Sequence, residues 1–204
     1  MLGNLEDIKD YHKNVFLPKL EEHLRSPPGL AALLRHSEFK LKSKYGKYCV
    51  NTPTSQRVLA EEKEYFNMIH EKHHLKKSIE DFLIAPVQRI MRYQLLLRAL
   101  VKECEEQHQE EYADCLSVME AVADNTNTMM WLGSISDCPL SLTSQGELLK
   151  HSTIRSASLL KGGGYKITEG YLIMFKQSLV FCTVSKNEEN LTNPINLTYK
   201  SHLR

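Results

Sequence analysis

The sequence predicts a mainly α chain, an elongated helical bundle followed by a β-rich C-terminal piece. Three observations predict it. Apolar residues recur at intervals of three and four up to about residue 132, the period of helices with one packed face. After Gly133 the helix formers give way to Pro139, Gly146, Gly162-Gly163-Gly164 and Gly170, and the runs Tyr171 to Phe175 and Leu179 to Phe181 read as strands. With 42% hydrophobic and 25% charged residues over 204 positions, the composition is that of a chain with a packed core, not a disordered tail.

The first stretch, Leu2 to about Leu24, places Leu5, Ile8, Val15, Phe16 and Leu20 on a helical stripe, with Asn4 as its cap and a kink at Pro18. Ser26-Pro27-Pro28-Gly29 breaks the chain. A second helix from Leu30 to about Tyr48 carries Leu33, Leu34, Leu41 and Tyr45, and Asn51-Thr52-Pro53 ends it. The third, Ser55 to His70, is expected to turn Val58, Leu59, Tyr65, Phe66 and Ile69 inward, and a short segment from Ser78 to Ile84 follows. Pro86 suits the first turn of a new helix reaching about Gln107. Its apolar residues lie on most sides, which predicts the central helix of the bundle. The last helix, about Glu110 to Leu132, carries Leu116, Met119, Val122, Met129 and Met130.

A domain boundary is expected between residues 133 and 145, dividing the chain into 1–135 and 136–204. The second piece offers four short strands and no closing helix. It should therefore have an open sheet edge, a half-covered core and little stability alone.

Composition narrows the function. A formal charge of +1 argues against nucleic acid as the main partner, although the C-terminal piece leans basic. Cys49, Cys104, Cys115, Cys138 and Cys182 are odd in number and widely spaced without a CxxC pair, which reads as reduced thiols in the cytoplasm and offers no metal site. The first residues lack a basic-then-apolar leader and no run is long enough to span a membrane, so the sequons at Asn190 and Asn196 are expected to stay unglycosylated.

Catalytic motifs are equally sparse. Gly162-Gly163-Gly164 is not followed by the lysine-serine pair and helix of a phosphate-binding loop, so it reads as a turn between strands. Nucleophile-elbow and zinc-protease motifs are lacking, and no catalytic residue, cofactor or small-molecule substrate is expected. His70, His73 and His74 lie among Glu71, Lys72, Lys76 and Lys77 without a fixed fourth ligand, and read as solvated. Lys40, Lys42, Lys44 and Lys47 interleave with Phe39, Tyr45 and Tyr48, yet helical geometry scatters them over an amphipathic surface.

The helix after Pro86 holds the most informative pattern. At 3.6 residues per turn Gln88, Arg92, Leu96, Ala99 and Glu103 share one stripe, with Ile90, Leu97, Leu100, Val101 and Cys104 opposite. Periodicity leaves two readings open. Either the stripe binds a partner, or Leu96 and Ala99 touch a neighbouring helix while Arg92 pairs with a carboxylate.

Residues 83–100, Leu-Ile-Ala-Pro-Val-Gln-Arg-Ile-Met-Arg-Tyr-Gln-Leu-Leu-Leu-Arg-Ala-Leu, resemble the third conserved region of Dbl homology domains, the exchange factors for Rho-family GTPases. Leu2-Gly3-Asn4-Leu5-Glu6-Asp7-Ile8, with His12 and Phe16-Leu17 beyond, is similar to that family's Phe-Gly-Asn-Ile segment. Gly146-Glu147-Leu148-Leu149 and Ser178-Leu179-Val180-Phe181 resemble opening strands of the pleckstrin homology domain that normally follows, in the order of the Trio, kalirin and Dbs group.

The resemblance implies a Dbl homology domain over 1–135 lacking its first conserved helix, then the N-terminal part of a pleckstrin homology domain, a partial β-barrel. It implies a Rho-family small GTPase as partner and release of GDP by stabilising the nucleotide-free GTPase, without bond chemistry. Because the family's switch I-contacting glutamate lies on the first helix, an exchange-deficient binding or adaptor module is the alternative. Gln88, Arg92 and Leu96 match family positions that face the GTPase switches, Arg92 replacing the commoner lysine. Asn127 matches a switch II-contacting asparagine, Thr128 stands where aspartate is frequent, and Ala85 where lysine is usual. For the second piece the resemblance implies a weak membrane phosphoinositide contact through Lys150, Lys161 and Lys166.

Overall fold

The computed structural model describes residues 1–184 and 197–203, and these divide into two compact units, Met1–Met130 and Trp131–Arg204. Asn190 and Asn196 lie outside the described residues.

The first unit is a helical bundle. It opens with α1 (Leu5–Tyr11), a π-turn (His12–Phe16) and α2 (Leu17–Glu22) running as one bent rod. Pro18 in the first turn of α2 has no N–H for the carbonyl four residues back, so the wider π-turn beside it accommodates the gap. Asn4 precedes α1, but its side chain does not cap the helix. Its Nδ2 donates instead to the Lys44 carbonyl at 3.0 Å, tying α1 to α3 (Pro27–Val50).

The prolines at 27 and 28, expected to break the chain, open α3. Proline lacks only an N–H that the first helical turn leaves unpaired anyway, and Ser26 Oγ accepts from the Gly29 N–H at 3.2 Å. The expected third helix divides into α4 (Thr52–Glu61) and α5 (Lys63–Lys72), separated by the non-helical Glu62. Only Leu59 of its five predicted inward residues is buried, and Tyr65 is exposed, because the break reorients the second half.

Pro86 does not begin a helix. Residues 79–103 form one continuous α6 (Ile79–Glu103), started by a reciprocal cap in which Asp81 N–H donates to Ser78 Oγ and Ser78 N–H to Asp81 Oδ2, both at 3.1 Å. The turn that Pro86 loosens is supported from α3, where the Tyr48 hydroxyl donates to the Leu83 carbonyl at 2.6 Å. Nor is α6 the central helix. The buried side chains concentrate on α3 (Leu33, Leu34, Leu41, Tyr45, Tyr48, Cys49) and on α7 (Gln109–Leu132), whose Cys115, Met119, Val122 and Thr126 are fully enclosed. α6 buries only Val87, Ile90 and Leu97. Apolar residues around a whole helix signal eventual cover, and within this unit the cover reaches one side.

An aromatic cluster pins the bent rod to α3 and α6. The His12 ring lies edge-on to Tyr45 and Phe16 and stacks with Tyr93 at 6.3 Å between centroids, and His12 Nε2 is 2.9 Å from the Tyr45 hydroxyl. Burial, aided by the Arg89 charge, holds the His12 imidazole below its ordinary pKa. The folded state therefore takes up this proton less readily than the unfolded chain, and stability falls as pH drops below about 6.5. Thermal melts between about pH 7.5 and 5.5 should show this loss. His12→Gln, which keeps an acceptor for Tyr45 and cannot titrate, should flatten it, whereas an equally steep loss in the variant would assign it elsewhere.

The second unit is a four-stranded antiparallel sheet in the order β1-β2-β3-β4, with β1 (Leu148–Leu159), β2 (Tyr165–Phe175), β3 (Leu179–Val184) and β4 (Leu197–Leu203). β1 and β2 are long, not short as expected. Among the described residues no pairing joins β1 to β4, so the sheet is open. Its packed face carries Ile173, Phe175, Val180, Cys182 and Leu197, with Leu142 also buried. Trp131 lies against Tyr171 at 5.2 Å and His151 at 5.5 Å. Gly170 is required where β2 passes β3, since a Cβ there would sit 2.4 Å from the Cys182 carbonyl oxygen. The Gly162-Gly163-Gly164 segment is the β1–β2 turn, with φ of +80° and +89° at Gly163 and Gly164.

Candidate functional site

The two sides of α6 separate cleanly. Inward, Ile90 is 0% exposed and Leu97 6%. Outward, Gln88, Arg92, Ala99 and Glu103 are exposed and Leu96 is 60% exposed. Leu96 and Ala99 are therefore not covered by a neighbouring helix. No ion pair reaches Arg92 among the described residues, whereas Arg35, Arg57 and Arg98 hold Asp114, Glu61 and Glu120.

Leu100, expected on the packed side, is 43% exposed and adds to the outward face, as do Leu95 and Phe82. The signal for them was present in the sequence. Each falls beside the Gln88-Arg92-Leu96 stripe on a helical wheel, but an apolar residue at the edge of a stripe is assigned to the core by default. Ala85 is exposed on the same side, a turn before Gln88.

Asn127 and Thr128 sit on α7. Arg98 fixes α7 against α6, its Nε and Nη2 donating to Glu120 Oε1 at 3.1 and 2.6 Å. The two helices are joined by a short connection (residues 104–108) and run antiparallel. Counting about 1.5 Å per residue from the Arg98–Glu120 clamp brings Arg92 level with Asn127. Asn127 is exposed. Thr128 is half-buried and turns its hydroxyl back to the Asp124 carbonyl at 2.9 Å, so its polar group is already engaged within α7. The outward side of α6 combines exposed leucines with a guanidinium that no described carboxylate reaches, and Asn127 exposes a side-chain amide on α7, groups suited to gripping a protein surface.

Three of the five thiols are buried and poor nucleophiles. Burial pushes Cys49 up to about 12, and Cys115 and Cys182 up to about 11, leaving all three protonated at neutral pH. His73 and His74 are exposed, and no group of metal-ligating side chains forms among the described residues. Of the four interleaved lysines, Lys42 pairs with Glu38 at 2.6 Å and Lys44 with Asp7, whose carboxyl that contact holds below the usual range. Among the described residues no helix is long and apolar enough to cross a membrane.

In the sheet, Lys161 lies in the β1–β2 turn and Lys166 opposite Ser158 at the start of β2, so these two share one end. Lys150 does not join them. It faces Met174 near the start of β1, roughly 35 Å along the strand from the turn at about 3.3 Å per residue.

Comparison with known proteins bears on the face directly. The RhoGEF domain family model matches residues 1–128, the span holding α6 and the matching part of α7. The chain is 34% identical over 186 residues to mouse Rho guanine nucleotide exchange factor 25, covering 89% of this chain and 30% of that protein. It is 31% identical over 207 residues to rat Guanine nucleotide exchange factor DBS (93% and 17%), and 26% identical over 195 residues to human Proto-oncogene DBL (89% and 21%). The chain spans less than a third of the length of these relatives. With the family model covering well over half of its residues, this chain belongs to the RhoGEF domain family.

Proposed function

We propose that the chain acts as a guanine nucleotide exchange factor for a Rho-family small GTPase, through the outward face of α6 and the adjoining part of α7. The observation that carries this reading is the exposed, unpaired face of Gln88, Arg92 and Leu96 within the span that matches the RhoGEF family. Binding the nucleotide-free GTPase more tightly than the loaded form must, by linkage, lower nucleotide affinity in equal measure. No proton transfer or covalent step is needed. Arg92 and Asn127 serve as polar anchors for the GTPase switches, Gln88 and Leu96 supply the buried contact, and Thr128 gives a neutral edge.

Residues 1–135 act as the exchange domain in this reading. Residues 136–204 are the N-terminal strands of a pleckstrin homology domain, the open sheet being part of its barrel. There Lys161 and Lys166 make a weak contact with anionic lipid, on the order of 1 kcal/mol per lysine near a charged surface, and Lys150 contributes from elsewhere.

The test is release of fluorescent GDP from a panel of Rho-family GTPases, run beside capture of the nucleotide-free forms. Accelerated release, reduced at least tenfold by Asn127→Ala, is the expected result; loss of one interface anchor corresponds to about 1.4 kcal/mol or more. Capture without release would replace exchange by binding alone, and neither would end the reading.

A further inference from the structure

An open groove of about 420 Å³ lies between α1 and α3. Asn4, Asp7 and Tyr11, spaced by three and four, line it from the α1 side, and Phe39, Lys40, Ser43 and Lys47 line it from a single side of α3. Lys44 crosses between the walls, its Nζ 2.5 Å from Asp7 Oδ1 and 5.4 Å from the centre of the Tyr11 ring. Helical spacing was expected to scatter the interleaved lysines. Lys42 does turn away, to Glu38, but the other three converge on this groove.

The charges of the lining are uneven. Three ammonium groups meet one carboxylate, and that carboxylate, Asp7, already holds Lys44. Lys40 and Lys47 are exposed, and no ion pair reaches either among the described residues. They stand seven positions apart on α3, so their stems rise about 10 Å from each other at about 1.5 Å per residue. Next to Lys40, the Phe39 ring is 66% exposed. The groove shares no residue with the α6 and α7 site.

Shape and charge together select the occupant. A cleft open to solvent cannot enclose a small molecule, whose sites bury most of the ligand surface. Two unpaired lysines are few for a nucleic acid, whose affinity rests on many phosphate contacts, and a net charge of +1 does not draw in a polyanion. A short acidic stretch of polypeptide fits both features, with carboxylates for the lysines and an apolar side chain for Phe39.

We propose that the α1–α3 groove docks an acidic segment of a second protein, with carboxylates on Lys40 and Lys47 and an apolar side chain against Phe39. Ser43, between the two lysines, offers its hydroxyl to the segment, and the Lys44–Asp7 contact holds the walls together. The site goes beyond exchange, since it ties the chain to a partner other than the GTPase.

The experiment is fluorescence anisotropy of a fluorescein-labelled glutamate peptide with one central phenylalanine, titrated with the full chain. Wild type should bind saturably, and more weakly as salt rises. Lys40→Glu/Lys47→Glu should weaken binding at least about tenfold and Phe39→Ser at least about threefold, with folding of each checked by circular dichroism. GDP release from a Rho-family GTPase should keep its wild-type rate in both variants, so docking and exchange stand or fail separately. Wild type that ignores the peptide overturns the proposal, as does equal binding by the charge-reversed pair. Loss in that pair with no change in Phe39→Ser, and equally tight binding of polyuridylate, would assign the groove to any polyanion and overturn a peptide site. Slowed GDP release in the charge-reversed pair would place the groove in the exchange reaction and overturn a separate partner.

Discussion

Leu96→Glu is expected to abolish practical capture of nucleotide-free Rho-family GTPase while leaving the fold intact. Leu96 is 60% exposed, beside Arg92 and Leu95 and two turns after Gln88 on the outward side of α6. A carboxylate there meets no neighbour in the free protein, and glutamate is nearly as good a helix former as leucine. The melting temperature should therefore stay within about a degree or two, as for surface changes away from structural features. In a complex, the same carboxylate would be driven out of water at the centre of the contact. Central interface residues are worth about 2–4 kcal/mol, or roughly 30- to 1000-fold in affinity. Titration of the GTPase against wild type and variant by biolayer interferometry, beside melts of both, measures the two quantities separately. Affinity equal to wild type would remove α6 from the interface, and a large fall in melting temperature would mean that Leu96 is structural.

The second large effect lies on the opposite side of the same helix. Ile90 is 0% exposed and packs inward with Val87 and Leu97. Truncation by Ile90→Ala removes buried methyl groups from a close-packed region that relaxes only in part. The expected loss is about 2–5 kcal/mol, a fall of roughly ten degrees in the melting temperature of the helical unit. GTPase affinity at a temperature where the variant remains folded should change little. A loss under about 1 kcal/mol would show that α6 is held chiefly by its polar ties, the Tyr48–Leu83 hydrogen bond and the Arg98–Glu120 clamp.

These paired expectations mark how far the sequence could be read. The helical spacing of Ile90 and Leu97 against Gln88, Arg92 and Leu96 was visible as two opposed stripes, because helical geometry ties spacing to side. The positions of Leu95 and Leu100 were not settled. A leucine at the edge of a stripe is apolar in either setting, and only the neighbours of the helix decide its exposure.

Proline was the least legible residue. Its chemistry forbids one hydrogen bond and leaves the use of that gap to the surroundings. Pro27 and Pro28 opened α3, Pro18 adjoined a π-turn, and Pro86 was carried inside α6. The last of these is supported by a distant group that no single window of sequence contains, the Tyr48 hydroxyl that reaches Leu83. The rank of helices by burial was equally hidden. α6 is apolar on most sides and yet is a flank, whereas α3 and α7 enclose the core.

Local spacing and composition were enough to tell that the chain is helical and then β-rich, and that one stripe after Pro86 differs from the other. These follow from backbone geometry and side-chain chemistry, which act within a few residues. Packing alone settled which stripe faces water, and that among the described residues Arg92 has no carboxylate partner while Arg98 has one. Burial and pairing are relations between segments far apart in the chain, so they are set by how the elements pack and not by the order of residues within any one of them.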